Sequence, residues 1–383
     1  MKKICVVISS RANYSSIKSV LEQISLSRKL TLQIVVSASA LVDRFGAVEK
    51  TIKRDGFKIN FRIHMLLEGE NVETMAKTTG LGLLELPTIF KYLKPDIVLI
   101  VGDRYENLAT AISSSYMNIT IGHTMGGEVS GTIDESVRHA ITKLSHIHFP
   151  ASIDAKKRII KLGENKKNVF HVGCPRIDLA KRILESKKYK LDNKSLNLGV
   201  GDKIDFNKPF IMVSQHPVTT EYEMASKQID ETIKSLSKID YQKIFLWPNS
   251  DAGSDKISKR IRAWREKKKL KKVRFYKSFS PETYMYLMSK TKCLIGNSSS
   301  GIREGAYIGT PVVNIGSRQN GRERKKNVID VDHNANKIVT AIKKQIKHGK
   351  YEKSKVYGDG NAGKKIRKIL ETVKINIQKK ISY

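Results

Sequence analysis

The residue types that acid–base and phosphate chemistry require recur in this chain at one kind of place, the short polar loops that follow apolar runs. Residues 9–15 read SSRANYS, and Arg11 opens a helical stretch directly after an apolar run. A guanidinium there can grip a phosphate in bidentate fashion, or it can be a plain surface arginine. Residues 102–106 read GDRYE, which sets Asp103 and Arg104 side by side at a sheet edge, as reacting groups or as a structural ion pair. Residues 122–128 (GHTMGGE) run into 130–139 (SGTIDESVRH), the most suggestive stretch in the chain. Its glycines permit close backbone approach to a ligand. His123, Glu128, Asp134 and Arg138 supply ionisable groups. Asp134 and Arg138 lie four apart, on one helix face, which also fits an ordinary helix salt bridge.

The second half repeats the arrangement. Residues 213–220 read VSQHPVTT, where His216 can donate to a phosphate oxygen or merely cap the turn. Residues 247–253 (WPNSDAG) form another polar loop and contain Asn249. Residues 296–306 read GNSSSGIREGA. Ser298 and Ser299 there stand at a helix start, where hydroxyls, free N–H groups and the helix dipole favour an anion. Glu304 lies further along, where a carboxylate can accept from ribose hydroxyls. A simple N-cap is the alternative. Arg318 follows in 316–319 (GSRQ).

Positioning these loops requires strands. Short Val- and Ile-rich runs at 3–8, 31–36, 96–101, 118–121, 146–149 and 169–172 alternate with helix-like stretches. Such a pattern predicts parallel strands covered by helices on both faces. Residues 182–207 are polar and weakly patterned and read as a linker. The alternation resumes at 209–213, 243–247, 273–276, 293–295 and 312–315, a second sheet of the same kind. Residues 335–383 read as two basic helices broken at Gly358-Asp359-Gly360. The expected domains are 1–181 and 208–365. A basic helix at 366–383 is expected to pack back on the first domain. Ligands in such sheets bind beyond the carboxyl ends of the strands, where the candidate loops lie. No GxGxxG follows a strand, which argues against a dinucleotide cofactor.

Composition narrows the class. With 383 residues, 40% hydrophobic and 28% charged, the chain suits two globular domains rather than disorder. No apolar run reaches membrane-spanning length, and the short apolar N-terminus ends at Ser9-Ser10-Arg11 as a strand would. The reading is therefore a cytoplasmic protein without membrane insertion. Cys5, Cys174 and Cys293 are odd in number and widely spaced, so neither disulfides nor a metal site is expected. The net charge of +34 invites a nucleic-acid reading. The lysines are dispersed, however, and no nucleic-acid motif accompanies them, so a solvated surface that also attracts phosphorylated substrates is expected instead.

Taken together, RANYS (11–15), GDR (102–104), GGEVSGTIDESVRHAITKL (126–144), QHPVTT (215–220), NSDAGS (249–254), NSSSGIRE (297–304) and residues 309–323 resemble the hydrolysing UDP-N-acetylglucosamine 2-epimerases. The resemblance implies an α/β fold of two doubly wound Rossmann-like domains facing a central cleft, of the glycosyltransferase-B type. It implies a nucleotide-sugar substrate whose sugar faces domain 1–181 and whose nucleotide binds domain 208–365, no cofactor or metal, and a homodimer or dimer of dimers. Catalysis would fall to Asp103, Glu128, Asp134, Arg138 and His216. Substrate binding would fall to Arg11, Ser15, Arg104, His123, Asn249, Ser298, Ser299, Glu304 and Arg318. The reaction implied is elimination of the nucleoside diphosphate to a 2-acetamidoglucal, then addition of water to give N-acetylmannosamine. Many relatives carry a glutamate where this chain has Met125. That exchange would suit a 6-deoxy, 4-acetamido sugar such as di-N-acetylbacillosamine, as in legionaminic-acid synthesis. An acceptor-dependent glycosyltransferase is the alternative within the same fold.

Overall fold

The computed structural model describes residues 1–383 except 47, 187–188, 190, 192–195, 268–270, 375 and 383. The apolar runs become strands because each is short, rich in branched residues and interrupted by polar loops. In the first half these are β1 (Lys2–Ile8), β2 (Leu30–Ser37), β3 (Phe61–Ile63), β4 (Ile97–Val101), β5 (Thr120–Thr124) and β6 (Ile147–Phe149). They form a parallel six-stranded sheet in the order β3-β2-β1-β4-β5-β6. The second half contributes β7 (Val200–Gly201), β8 (Phe210–Ser214), β9 (Gln242–Leu246), β10 (Val273–Tyr276), β11 (Leu294–Gly296), β12 (Val312–Ile315) and β13 (Val328–Val331). Their order is β13-β12-β11-β8-β9-β10-β7, parallel except for β7 against β10. Leaving out β7, the two sheets have one topology: the first strand of each lies at the centre, beside the fourth.

That topology decides where a ligand can sit. Between β1 and β4, and again between β8 and β11, successive connections leave in opposite directions and open a crevice at the carboxyl ends. Central strands β4 and β8 are buried along their whole length, as expected for sheets covered on both faces. The two crevices face each other. One apolar cluster runs from the first half to the second beside them. It joins Ile17 and Val20, on the helix Arg11–Ser25, and Ile177, on the helix Pro175–Glu185, to Met285, Met288 and Ile302.

The structure departs from the sequence reading in several places. Residues 169–172 form no strand; Val169 makes a single bridge to His148. β3 and β13 are edge strands too short and too exposed for their pattern to stand out. The fourth apolar run continues as β5 through His123 and Thr124, residues read as loop. The expected linker lies partly outside the described residues. Within the rest of it, residues 182–185 continue the helix Pro175–Glu185 and β7 extends the second sheet. The last helix, Ala362–Thr372, returns to the first half. Its first backbone N–H groups donate to Asp178 at 2.8 and 2.7 Å, and Lys2 donates to the carbonyl of Leu370 in its last turn at 2.8 Å and of Val373 just past its end at 3.0 Å. Among the described residues no helix is long and apolar enough to cross a membrane.

Candidate active site

Four of the loops that line the cleft follow the strands at the two crevices. After β1, Ser10 caps the helix Arg11–Ser25, accepting from the Asn13 N–H at 3.2 Å, so Arg11 stands at a helix start. After β4, Gly102 turns the chain to Asp103 and Arg104. After β8 comes His216, and after β11 come Ser298 and Ser299 at the start of the helix Ser299–Ile308. The last two loops are tied together by Asn297. Its Oδ1 accepts from the His216 N–H, and its Nδ2 donates to the His216 carbonyl, both at 2.8 Å. Gly296 makes this approach possible: at φ +123° its missing Cβ would strike the Ser214 carbonyl.

The resulting cavity takes in about 1290 Å³, its open mouth included, and draws its lining from both halves. Arg11, Ser15, Asp103, Arg104, Asp134, His216, Asn249, Ser298, Ser299 and Arg318 all line it. The charged residues among its lining are Arg11, Arg104, Arg176, Arg303 and Arg318 against Asp103 and Asp134. A surplus of guanidinium groups at a helix N-terminus is the electrostatic complement of a diphosphate.

The two carboxyl groups are driven apart. Burial would raise Asp103, but the Arg138 guanidinium, with Arg322 and Arg303 behind it, outweighs this and holds it well below the usual carboxylate range. Arg138 Nε donates to Asp103 at 3.0 Å, and a second bond comes from the same fork. Asp134 goes the other way. Burial, then the charges of Asp103 and Asp251, push it up to about 6, with Arg318 and Arg104 opposing. A permanently ionised carboxylate thus stands beside one that exchanges its proton near neutrality, the separation that acid–base work requires.

His216 is neutral. Burial, then Arg318, Arg11 and Arg104, lower it well below its ordinary 6.5. Its Nδ1 accepts from the Asn249 N–H at 3.2 Å, which leaves the proton on Nε2 as a donor. Arg104 is held across the gap by Asp251 at 2.8 Å and within its own half by Glu106 at 2.9 Å. Arg11 reaches the Lys277 and Trp247 carbonyls of the second half.

Four expected site residues do not line the cavity. Arg138 is fully buried behind Asp103, and its partners are Asp103 and Glu135, not Asp134. The helix-face pair with Asp134 fails because Asp134, first in the helix Asp134–Leu144, turns toward Arg318 at 3.9 Å. His123 is a buried strand residue, with Nε2 on the Gly102 carbonyl at 2.8 Å and Nδ1 on Thr142 at 3.2 Å. Glu128 is buried and paired with Arg303 and Arg322. Glu304 is buried and paired with Arg176, so its carboxylate is not presented to a ribose here. Nor are Asp103 and Arg104 a pair; each finds a partner elsewhere.

Residues missed in the sequence include Arg176, Arg303, Asp251 and Tyr284. Arg303 and Asp251 lie inside the motif strings 297–304 and 249–254 and could have been singled out. Arg176 follows Pro175 at the start of a helix, and nothing local marks it. Tyr284 reaches Ser300 from the helix Pro281–Lys290.

Two α/β halves of one topology that face a shared cleft are the glycosyltransferase-B type of fold. The family model described as UDP-N-acetylglucosamine 2-epimerase matches residues 22–371, and the chain belongs to that family, as the motif strings implied. It is 36% identical over 379 residues to a UDP-N,N'-diacetylbacillosamine 2-epimerase (hydrolyzing) of Legionella pneumophila, covering 99% of this chain and 98% of that one. A GDP/UDP-N,N'-diacetylbacillosamine 2-epimerase (hydrolyzing) of Campylobacter jejuni is 35% identical over 335 residues, 87% and 85% of the two chains. In fold, the chain matches the crystal structure of a UDP-GlcNAc 2-epimerase from Neisseria meningitidis bound to UDP-GlcNAc. The TM-score is 0.78 at 18% identity, over 96% and 99% of the two chains.

Proposed function

We propose that this protein is a hydrolysing nucleotide-sugar 2-epimerase acting on a UDP-linked 2,4-diacetamido-6-deoxy sugar of the di-N-acetylbacillosamine type. C2 of such a sugar has no adjacent carbonyl, so its proton is not acidic as in an enolisable position. Coupling its loss to departure of a diphosphate solves this. A base takes the C2 proton as the C1–O bond breaks, giving the 1,2-unsaturated 2,4-diacetamido-6-deoxy glycal and UDP. Water then bonds to C1 while a proton returns to C2 from the other face, and the free manno-configured sugar is released.

In this reading Asp134, tuned to about 6, exchanges the C2 proton. Asp103 stays ionised and supports the positive charge that develops at C1. Arg11, Arg104 and the Nε2–H of His216 take up the charge of the leaving diphosphate. Ser298, Ser299, Asn249 and Arg318 hold the nucleotide.

One observation carries the choice of sugar. Met125, at φ 59°, directs an apolar side chain into the cavity lining, with Sδ 3.6 Å from Cys174 Sγ and its methyl end beneath Gly102. An apolar side chain in a lining that also holds Asp103 and Asp134 favours a methyl group over a hydroxymethyl. The names of the Legionella and Campylobacter relatives support the same choice. UDP-N-acetylglucosamine is the second reading. It is favoured by a Neisseria meningitidis UDP-N-acetylglucosamine 2-epimerase that is 28% identical over 97% of this chain.

The deciding experiment incubates the protein in D2O with UDP-N-acetylglucosamine and with UDP- and GDP-di-N-acetylbacillosamine, and follows products by NMR. Free nucleoside diphosphate, a free manno-sugar and deuterium at C2 are expected, with higher kcat/KM on the UDP-linked diacetamido sugar. A retained C2 proton refutes the epimerase reading. Diphosphate release only on addition of an acceptor identifies a glycosyltransferase. A strong preference for UDP-N-acetylglucosamine refutes the choice of sugar.

A further inference from the structure

Behind the Met125 end of the cleft lies a buried charge cluster shared by both halves. Glu128, 4% exposed, extends from the first half. Its Oε2 accepts from Arg303 Nε at 3.1 Å and from Arg303 Nη2 at 2.7 Å, and from Arg322 as well. Both arginines belong to the second half. The main-chain carbonyl of Glu128 accepts from Arg138 at 2.8 Å, and Arg138 in turn holds Asp103. Arg303 lines the cleft with Met125 and Asp103, whereas Glu128 and Arg322 do not.

The backbone is built to hold Glu128 there. Gly127, at φ +75°, turns the chain after β5, and a Cβ on it would strike the Ala155 carbonyl. The electrostatics are conditional on closure. Two buried guanidinium groups that share one carboxylate oxygen repel each other unless that carboxylate is present and ionised. Burial raises Glu128, yet Arg303 and Arg322 outweigh it and leave the group below its ordinary value. Separating the halves removes both partners from Glu128 at once. It also removes from Asp103 two of the three cations that act on it.

We propose that Glu128 is a positioning residue that clamps Arg303 and Arg322 across the cleft, so that Arg303 is presented to the sugar only in the closed form. It acts through Arg303 and does not touch the reacting atoms. The kinetic arm of the test rests on the epimerase reading above; the closure arm does not.

Glu128→Gln keeps the shape and removes the charge. By small-angle X-ray scattering this variant is expected to show a larger radius of gyration than the wild type without ligand, and UDP restores compactness. On the sugar that the wild type turns over best, kcat falls about 10-fold or more, the scale of a misplaced cleft group. Because UDP must then drive the closure that Glu128 secures in the wild type, UDP affinity falls by the same factor as the closed population of the ligand-free variant. The double variant Glu128→Gln with Arg322→Gln, which removes the surplus cation, recovers part of kcat. Arg322→Gln alone leaves Glu128 on Arg303 and gives a smaller opening in the same direction, which decides the matter if Glu128→Gln does not fold. Wild-type compactness and kcat in Glu128→Gln overturn the clamp. Loss of kcat and melting temperature in both single variants at the wild-type radius of gyration overturns it too, since that is a purely structural role. If the wild type turns over none of the three nucleotide-sugars, the epimerase reading fails and the scattering still decides the clamp.

Discussion

Asp134→Asn should make this protein more stable while removing its activity. The Asp134 carboxyl is raised from its ordinary 3.8 to about 6 by burial first, then by Asp103 and Asp251. At about 1.4 kcal/mol per pH unit, that difference is about 3 kcal/mol of folding free energy. The sign follows from the direction. Because the folded value is raised, the stability of the protonated carboxyl is fully present below about 3.8 and is lost as pH rises through about 6. At pH 7.5 the wild type therefore holds a carboxylate the fold disfavours, and its nearest cation, Arg318, is 3.9 Å away. Asparagine has the same shape without the charge. The variant should gain up to about 3 kcal/mol at pH 7.5, less at pH 5.5, and almost nothing near pH 4. Urea unfolding midpoints at those three pH values measure the gap. Turnover should fall by about 10²-fold or more, the scale for a lost proton-transfer group. A variant less stable than wild type at pH 7.5, or a gap that does not close toward pH 4, would refute the reasoning. So would near-wild-type turnover.

The neighbouring carboxylate should behave oppositely. Asp103→Asn leaves the fully buried Arg138 with Glu135 as its remaining carboxylate partner, costing about 3 kcal/mol at neutral pH. Because the native Asp103 is held low, this deficit should persist above about pH 4 and shrink in more acidic urea titrations; turnover should also drop about 10²-fold. His216→Ala should lower kcat by about 10²-fold through loss of the Nε2–H donor. Since His216 stays neutral, the wild-type kcat/KM profile should carry a limb near 6 that Asp134→Asn abolishes, and no separate histidine limb at 6.5. Gly127→Ala should lower stability by about 2 kcal/mol or more, read as a reduced melting temperature, because the position needs positive φ and has no room for a Cβ.

Both sheets could be read from the chain because their central strands are buried on two faces. Runs such as 97–101 and 210–214 must then be almost wholly apolar and be followed by polar turns. The edge strands β3 and β13 escaped the same reading, since a half-exposed run of three or four residues carries no distinctive pattern. The loops that meet in the cleft were also legible, because a doubly wound topology sends the carboxyl ends of its first and fourth strands to one crevice wherever it occurs.

What the linear order of residues determined was therefore which loops carry the chemistry and which family the chain joins. Partner choice was beyond it. Local spacing suggested Asp134 with Arg138 and Asp103 beside Arg104. The folded chain instead pairs Asp103 with Arg138, Arg104 with Asp251, Glu128 with Arg303 and Arg322, and Arg176 with Glu304. Except for Asp103 with Arg138, these pairs join residues more than a hundred positions apart, on opposite halves. Only the packing of one half against the other brings them within reach; that contact adds Arg322 and Arg303 to the Arg138 charge that lowers Asp103, adds Asp251 to the groups that raise Asp134, and pairs Glu128 and Glu304 with arginines of the opposite half.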